Sequence, residues 1–452
     1  MLTIHPFPQF LSGEQMAATL RTLPWPMWFD SGAGITAAGR YDIVTAAPVR
    51  TLVSENGHAL LRDAAGDVLT TTTDAMTLLR QQLAQRRLQG ATPPFCGGAA
   101  GYFGYDFGFQ LHQIDRRARP QPLPELALGF YDWALISDRL EQRSWWVGRR
   151  SAEAVLPMLQ ERLAAAPPPQ QPFHVDAASL SVQPEWADYQ QAFQQVQAHL
   201  HHGDCYQVNL ARRFEVQYQG DPWSAYLQLR RLSPAPFGAY LELPFASILS
   251  VSPERFLLLE DGRAESRPIK GTRPRRAEPA ADAAEAAALR RSEKDQAENV
   301  MIVDLLRNDL GQVCQPGSVT VPQLFEIESF ATVHHLVSTV QGQLRSELDA
   351  VDLLAACLPG GSITGAPKRR AMEIIDQLES ARRGLYCGAI GFISDDGRMD
   401  SNIAIRTAVC HQGRMSYWAG GGLVADSKAQ AEFDETLHKA RPFLRLIETT
   451  GR

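Results

Sequence analysis

The sequence predicts an α+β fold, with antiparallel strands grouped apart from the helices. In the first 160 residues, short apolar runs alternate with turn residues, which is typical of antiparallel sheet. In the second half, helical patterns and strand patterns form separate groups and do not alternate regularly. The chain has 452 residues, 44% hydrophobic and 21% charged, which is enough to bury a sizeable core.

One linker-like stretch divides the chain into two regions. Residues 164–172 are rich in Pro, Ala and Gln, which favours a semi-rigid linker over a helix or strand interior. We therefore predict an N-terminal region at 1–165, a linker at 166–178 and a C-terminal catalytic region at 179–452. We expect the two regions to share one core.

The predicted elements follow in chain order. Apolar runs predict N-terminal strands, and the glycine- and aromatic-rich stretch 97–108 predicts a strand whose backbone approaches a neighbour closely. Helices are predicted from helical periodicity of the apolar residues, from capping residues at their starts, and in one case from a glycine that ends the helix. The predicted helices are 186–201, one from Ser292 to Gly311, one opening at Pro367, and one from about Ser427 to Ile447. The predicted strands of this region are 210–218, 246–259, 386–393, 403–410 and 415–418.

The composition excludes several classes of function. The net charge of −6 gives the chain as a whole no positive field for nucleic acid, which leaves only a local basic patch as an alternative. No apolar run is long enough to span a membrane. The N-terminus lacks the pattern of a secretory signal. The six cysteines lie far apart without metal-ligand spacing, so we expect them to be buried and reduced, and the protein to be cytoplasmic.

A glycine-rich stretch at 360–368 has the spacing of the first part of a phosphate loop. The Lys-Ser/Thr pair of such a loop is missing, because Ala366 and Pro367 follow Gly365. The pattern therefore argues against a nucleotide triphosphatase. A glycine-rich turn before a helix can instead bind a carboxylate, and a tight turn without a ligand is the alternative.

Acidic side chains on two predicted helices suggest a metal site. Glu432, Glu435 and Lys439 share one helical face, and Glu298 lies in an apolar part of another helix. Carboxylates without Cys or His suit Mg²⁺. The alternative is a solvated charged face with a Glu435–Lys439 pair.

Two further residues have the chemistry of covalent catalysis. Lys270 stands at the end of a probable strand, bracketed by Ile and Gly, and a desolvated lysine becomes a nucleophile. Glu254 lies at a strand turn and would act as a general acid if buried. By itself, a single lysine is more often an exposed charge.

Eight ordered blocks of sequence resemble the chorismate-utilising enzymes, a family that includes anthranilate, isochorismate, salicylate and aminodeoxychorismate synthases. The blocks are SPERF (252–256), PIKGT (268–272), AENVMIVDLLRND (297–309), VHHLVSTV (333–340), PGGSITGAPK (359–368), YCGAIGF (386–392), IRT (405–407), and AGGGLVADS (419–427) followed by EFDETLHKA (432–440). The resemblance covers essentially the whole chain and implies large antiparallel sheets packed as a β-sandwich core with helices outside.

The lysine of PIKGT separates the subgroups of this family. Anthranilate synthases usually have alanine there, and isochorismate-type enzymes place a water-activating lysine elsewhere. Together with GDCYQVNLA (203–211), Lys270 makes the chain similar to the subgroup that aminates chorismate at C4. The resemblance implies that chorismate and ammonia give 4-amino-4-deoxychorismate, for p-aminobenzoate and folate biosynthesis, through a covalent Lys270 intermediate.

The resemblance also assigns roles to individual residues. It implies catalytic roles for Lys270, Glu254 and His335, and Mg²⁺ ligation by Glu298 and Glu435 with Glu432 nearby. The residues that it implies for binding chorismate are Arg406, Tyr386, Thr364, Gly420, Gly421, Gly422 and Lys439. The chain has no glutaminase nucleophile motif, so a separate glutamine amidotransferase subunit would supply ammonia.

An N-terminal tryptophan pocket is the last feature that the resemblance implies. Its residues would be Ser31, Ala38, Gly39, Arg40, Tyr41, Pro236, Phe237 and Gly238. Ala38-Gly39 stands where relatives can have an aromatic residue and Ser, so a bound tryptophan and an empty relic both remain open. Two alternative functions also remain: anthranilate synthase component I, and a non-enzymatic tryptophan-binding regulatory chain.

Overall fold

The computed structural model describes residues 1–32, 39–88, 93–118, 122–165, 169–330 and 333–451. The strands in these ranges are β1 Leu2–Pro6, β2 Met27–Asp30, β3 Tyr41–Thr45, β4 Arg50–Glu55, β5 His58–Asp63, β6 Val68–Thr72, β7 Gly98–Phe103, β8 Leu126–Tyr131, β9 Trp133–Asp138, β10 Arg143–Arg149, β11 Phe173–Gln183, β12 Gln207–Gly220, β13 Phe237–Leu243, β14 Ala246–Ser252, β15 Arg255–Glu260, β16 Arg263–Ser266, β17 Ile269–Pro274, β18 Thr320–Ser329, β19 Val333–Gln343, β20 Gly365–Ala366, β21 Ala389–Ser394, β22 Met399–Ile403, β23 Thr407–His411 and β24 Arg414–Leu423.

The same ranges contain the helices of the fold. They are α1 Gly13–Leu20, α2 Ala75–Ala84, α3 Phe107–Leu111, α4 Leu156–Ala164, α5 Trp186–His201, α6 Pro222–Leu232, α7 Pro279–Arg290, α8 Glu293–Gly311, α9 Ala350–Cys357, α10 Lys368–Leu378 and α11 Ala429–Thr450. Two short 3₁₀ turns lie at Arg150–Val155 and Gly361–Ile363. None of the helices in the described ranges is long and apolar enough to span a bilayer.

The strands form two large antiparallel sheets. The first runs β1-β10-β9-β3-β2-β13-β14-β23-β24-β12-β11, with β20 also paired to β12. The second runs β17-β19-β16-β15-β22-β21-β7-β8-β4-β5-β6, with β18 also paired to β19. Strands from both predicted regions meet in each sheet, at the β2–β13 and β21–β7 pairs.

The two sheets pack face to face around an apolar core. Met27, Ile136 and Leu241 of the first sheet lie in one buried cluster with Tyr102 and Ile390 of the second. Helices α1, α4, α6 and α11 cover the outer face of the first sheet, whereas α2, α3, α8 and α9 cover that of the second. The α+β prediction and the sandwich that the family resemblance implies are therefore confirmed. All six cysteines are buried, as expected.

Several element boundaries differ from the sequence-based expectations, and three of these differences bear on the fold or on the site. The predicted linker at 166–178 is too long, because Phe173 begins β11 and pairs with β12; residues 166–168 lie outside the described ranges. The stretch 246–259 is two strands in different sheets, β14 and β15, because Pro253 interrupts it. Pro367 is the N-cap of α10 and not its first helical residue.

Candidate active site

Lys270 and Glu254 are brought together by a short turn between α9 and α10. Lys270 lies on β17, Glu254 lies between β14 and β15, and Ser362 lies in the 3₁₀ turn Gly361–Ile363. The Lys270 Nζ donates to the main-chain carbonyl of Ser362 at 3.1 Å. The Ser362 Oγ donates to Glu254 Oε1 at 3.0 Å. One serine therefore contacts both residues that the sequence singles out for covalent catalysis.

Burial shifts the pKa values of both groups in the directions that an acid and a nucleophile need. Burial raises the pKa of Glu254 to about 7, against the opposing effects of Lys270 and the hydrogen bond from Ser362. Burial lowers the pKa of Lys270, which is opposed chiefly by the negative charges of Glu298 and Glu254. Burial therefore keeps Glu254 partly protonated near neutral pH, and it makes the Lys270 amine easier to deprotonate than that of an exposed lysine.

Three carboxylates from α8 and α11 lie near this pair. Burial raises the pKa of both Glu298 and Glu432. A Cβ built on Gly421 would lie 2.9 Å from Glu432 Oε2 and 3.9 Å from Glu435 Oε1, so a larger residue there would displace the Glu432 carboxylate. Glu298 and Glu435 both act on the pKa of Lys270, which places them within electrostatic range of it.

Lys439 holds Glu435 in the pair that the sequence offered as the alternative to a metal site. Its Nζ lies 2.6 Å from Glu435 Oε1 and donates to the carbonyl of Gly420 at 2.9 Å. Burial acts to raise the pKa of Glu435, but the charge and hydrogen bond of Lys439 leave that pKa lowered overall. Within the described ranges, no three His, Cys, Asp or Glu side chains form a preassembled metal-binding group.

His335 and Arg406 form a second part of the site. His335 on β19 is paired across the ladder with Thr272 on β17, and its Nδ1 lies 2.9 Å from the Thr272 hydroxyl. Burial and the positive charge of Arg406 lower the pKa of His335 to about 4, so the imidazole is neutral at physiological pH. Arg406 is partly exposed and has a backbone φ of 51°.

Other residues in the implied binding set have structural contacts. Tyr386 is buried in the core and stacks on Trp418, with ring centroids 5.8 Å apart. The Thr364 hydroxyl donates to the Gly360 carbonyl at 2.7 Å, inside the loop itself. Gly420 and Gly422 pack against the side chains of Asn209 and Gln207, and Gly421 is the member of this triplet that faces the carboxylates.

The sequence predicted that the glycine-rich loop leads directly into a helix, and the structure shows that it does not. Gly365 and Ala366 form β20, which pairs with β12, and α10 begins only at Lys368. The Lys368 side chain is buried and donates to Asp309 Oδ2 and to the Cys357 carbonyl, both at 2.8 Å. The loop therefore reaches α10 only through β20, and its 3₁₀ turn places Ser362 against Lys270 and Glu254.

The described residues of the implied tryptophan pocket lie on or beside β2, β3 and β13. Gly238 is paired with Asp30, and the Ser31 hydroxyl donates to the Tyr41 carbonyl at 2.5 Å. Arg40 stacks over Tyr41 and pairs with Asp138. Of the other implied residues, Gly39, Pro236 and Phe237 lie in the described ranges and Ala38 lies outside them.

Ser362 is the residue at this site that sequence reasoning missed. It lies in the PGGSITGAPK block, whose glycine-rich pattern predicts a carboxylate-binding turn and does not single out the serine. The signal that could have found it is the spacing of the glycines. A Cβ on Gly361 would lie 2.2 Å from the Leu305 side chain, so glycine there lets the turn approach α8 closely.

Comparison with known proteins assigns the chain to a family. A family model described as chorismate binding enzyme matches residues 27–445. The chain belongs to the chorismate-binding enzymes. A relative from Klebsiella aerogenes, aminodeoxychorismate synthase component 1, is 46% identical to this chorismate-binding enzyme over 448 residues, 97% of each chain. The protein of the same name from Escherichia coli K12 is 45% identical, over 99% of this chain and 100% of the relative.

A solved structure supports the same assignment for this chorismate-binding enzyme. Anthranilate synthase component I from Streptococcus pneumoniae TIGR4 superposes with a TM-score of 0.79 at 31% identity. The superposition covers 90% of this chain and 92% of the other.

Proposed function

We propose that this enzyme converts chorismate and ammonia into 4-amino-4-deoxychorismate, for p-aminobenzoate and folate biosynthesis. The observation that carries the proposal is the pairing of a partly buried lysine amine with a buried carboxyl group across Ser362. A nucleophile and an acid side by side are what an allylic displacement on chorismate requires. The full-length similarity to aminodeoxychorismate synthases supports the same reaction.

The first step forms a bond between Lys270 and the substrate. The neutral Nζ attacks C2 of chorismate, and the C1=C2 electrons move to C1=C6 while the C5=C6 electrons move to C4=C5. The C4–O bond breaks, and Glu254 donates a proton so that the hydroxyl leaves as water. The Glu254 carboxylate then accepts the proton that the new secondary amine releases.

The second step reverses the electron shifts with ammonia as the nucleophile. Ammonia attacks C4, the double bonds return to C1=C2 and C5=C6, and the C2–Nζ bond breaks. The proton lost by the new amino group balances the proton that Lys270 takes up as it leaves. Water attack at C4 would regenerate the hydroxyl compound, so the site must exclude bulk solvent during this step.

Positive and neutral donors around the reacting pair suit the two carboxylates of chorismate. The Arg406 guanidinium offers a bidentate contact to the enolpyruvyl carboxylate. His335 is neutral because its pKa is lowered to about 4, so it acts as a hydrogen-bonding group and not as a cation. Gly421, Tyr386 and Thr364 are assigned to the same pocket from the family resemblance.

Magnesium is the cofactor that the donor set suits. Glu298 and Glu435, with Glu432 adjacent, offer only carboxylate oxygens, which hard divalent cations prefer. When bound, Mg²⁺ would neutralise the ring carboxylate of chorismate. Glu435 must then exchange its contact with Lys439 for the metal.

Removing one of these carboxylates should weaken metal binding more than folding. We expect Glu298→Gln or Glu435→Gln to raise the Mg²⁺ concentration needed for half-maximal turnover by tenfold or more, on the order of 1.4 kcal/mol or above. Calorimetric titration of Mg²⁺ measures the binding directly, and Glu285→Gln on α7 is the control. Wild-type Mg²⁺ affinity in both variants would contradict the ligand assignment.

Ammonia is proposed to come from a separate glutamine amidotransferase subunit. The support is the component 1 name of the relatives and the lack of a glutaminase nucleophile motif in this sequence. Free ammonium at high concentration should therefore replace the partner in an assay of this chain alone.

The test of the proposed function is product identification. The enzyme is incubated with chorismate, Mg²⁺ and ammonium, and the product is separated and identified by mass spectrometry against authentic isomers. We expect 4-amino-4-deoxychorismate. Anthranilate as the main product would favour the second candidate, an anthranilate synthase component, which the similarity to the Streptococcus pneumoniae structure supports.

A tryptophan site at β2 and β13 is a separate proposal. Ser31 is buried beside the β2–β13 pair, which includes Gly238, and Phe237 is partly exposed next to it. Denaturing the purified chain and measuring released tryptophan by mass spectrometry tests this site. Release of stoichiometric tryptophan supports it, and none after incubation with excess tryptophan contradicts it.

A further inference from the structure

The 3₁₀ turn that carries Ser362 is fixed at several points. The Arg383 Nη1 donates to the Ile363 carbonyl at 3.1 Å, and the Asn209 N–H donates to the Thr364 carbonyl at 2.9 Å. The Thr364 hydroxyl closes the turn by donating to the Gly360 carbonyl. Because both sides of Ser362 are tied to other elements, its hydroxyl and carbonyl are held in defined directions.

Both polar groups of Ser362 are directed at the reacting residues. Its hydroxyl donates to Glu254 Oε1, and its carbonyl accepts from Lys270 Nζ. Ser362 is 7% exposed and Glu254 is 5% exposed, so water competes little for this hydrogen bond. The main chain of Ile269 also donates a hydrogen bond to the Glu254 carboxylate, so Ser362 supplies the side-chain half of its support.

We propose that Ser362 is a positioning residue, which orients the Glu254 carboxyl group through its hydroxyl while its main-chain carbonyl aims the Lys270 amine. The inference rests on the proposed function and adds a residue to it. The hydroxyl and the carbonyl are separable by mutation, because replacing the side chain leaves the main-chain contact with Lys270 intact.

Removing the hydroxyl should change the titration of Glu254 in a defined direction. The hydrogen bond from Ser362 favours the carboxylate and lowers the pKa of Glu254 relative to burial alone. In Ser362→Ala, the inflection of kcat/KM near pH 7 should therefore move to higher pH by about 0.5–1 unit. The plateau value should fall by about 3- to 10-fold. A loss of packing alone would lower the plateau without moving the inflection.

Four variants make the experiment specific. Ser362→Thr keeps a hydroxyl donor and should retain the wild-type inflection. Ser362→Cys is nearly isosteric with a weaker donor, and should move the inflection in the same direction as alanine if Ser362→Ala does not fold. Glu254→Gln should abolish the inflection, which assigns it. Ser137→Ala removes another buried serine hydroxyl, which bonds the Leu11 carbonyl, and should leave the profile unchanged.

The decisive measurement is kcat/KM for chorismate from pH 5 to 9 in these variants, with the product identified by mass. An upward shift in Ser362→Ala and Ser362→Cys, restored in Ser362→Thr, supports the inference. An unmoved inflection in folded Ser362→Ala or Ser362→Cys, or one that persists in Glu254→Gln, would overturn it. A wild-type enzyme that makes no 4-amino-4-deoxychorismate would instead contradict the proposed function, so the two failures are distinguishable.

Discussion

At the scale of single residues, Glu254 shows how burial prepares a group for proton transfer. Glu254 is 5% exposed, and this burial raises its pKa to about 7 even though Lys270 and Ser362 both favour the charged form. An ordinary glutamate has a pKa of 4.5 and is fully ionised at neutral pH. Burial therefore supplies a proton donor at a pH where an exposed glutamate would have none.

The same pKa shift predicts a pH-dependent effect on stability. The folded state holds the Glu254 proton more tightly than the unfolded state, so its contribution to stability is fully present below pH 4.5 and is lost as pH rises through about 7. Glu254→Gln lacks this titration. We therefore expect its free energy of unfolding, relative to wild type, to be higher at pH 8 than at pH 4.5.

Urea unfolding at the two pH values measures this difference. The exposed Glu141 provides a control, Glu141→Gln, for which we expect the same difference from wild type at both pH values. A Glu254→Gln difference that does not change with pH would show that Glu254 is ionised equally in both states.

The residues of the site were predictable from sequence to different degrees. Lys270 and Glu254 stand in distinctive blocks, so their importance is visible without the structure. The importance of Ser362 is not visible in the sequence, because its contacts with Glu254 and Lys270 span 108 and 92 positions of the chain. Tyr386 illustrates the opposite case, since its block is distinctive but its ring is packed in the core against Trp418.

At the scale of elements, a buried ion pair joins the end of α10 to β12 and to the Ser362 turn. Arg383 donates to Glu379 at 2.8 and 2.9 Å, and its remaining donors reach the carbonyls of Ile363 and Asn209. The Glu379 Oε1 accepts from the Ala211 N–H. This network fixes the turn relative to the first sheet.

Breaking the pair should be costly. We expect Arg383→Met to lower the free energy of unfolding by about 3–5 kcal/mol, because Glu379 would be left as a buried charge without its partner. Urea unfolding measures the change. Arg307→Met, which removes an exposed pair with Asp304, should change it by less than about 1 kcal/mol. Equal effects of the two variants would contradict the role of the network.

Element prediction succeeded where periodicity and capping were strong. Helix α5 has the predicted bounds, and α8 begins after Ser292 and ends at Gly311 as expected, with the Ser292 side chain accepting from the Asp295 N–H. Strand boundaries were less predictable. Periodicity does not reveal that the chain crosses between sheets at Pro253, because both halves of 246–259 are equally apolar.

At the scale of the whole molecule, the two predicted regions are not separate bodies. The β2–β13 and β21–β7 pairs join strands from both sides of the proposed linker, and the core between the sheets contains side chains from both regions. The composition of residues 164–172 predicts a boundary between two regions. That composition carries no information on which strands pair across the boundary. Long-range pairing therefore had to come from the structure or from the family resemblance.

This shared core predicts cooperative unfolding. Hydrogen exchange measured by mass spectrometry along a urea series should give the same midpoint for peptides from β9 and from β24, because neither region retains a complete core without the other. A control is the exposed β6, which should exchange at lower urea. Unfolding of residues 1–165 well before 179–452 would contradict a shared core.

The central claim is that Lys270 forms a covalent bond with chorismate. The most direct measurement is intact and peptide mass spectrometry after incubation with chorismate and Mg²⁺ without any ammonia source. We expect an adduct of chorismate less water on the peptide containing Pro268 to Lys270, and its disappearance with release of 4-amino-4-deoxychorismate when ammonium is added. Lys270→Ala should lose the adduct, and Lys270→Arg should not restore it, because guanidinium remains charged. An unmodified peptide, together with a Lys270→Ala variant that still makes 4-amino-4-deoxychorismate at the wild-type rate, would contradict the claim.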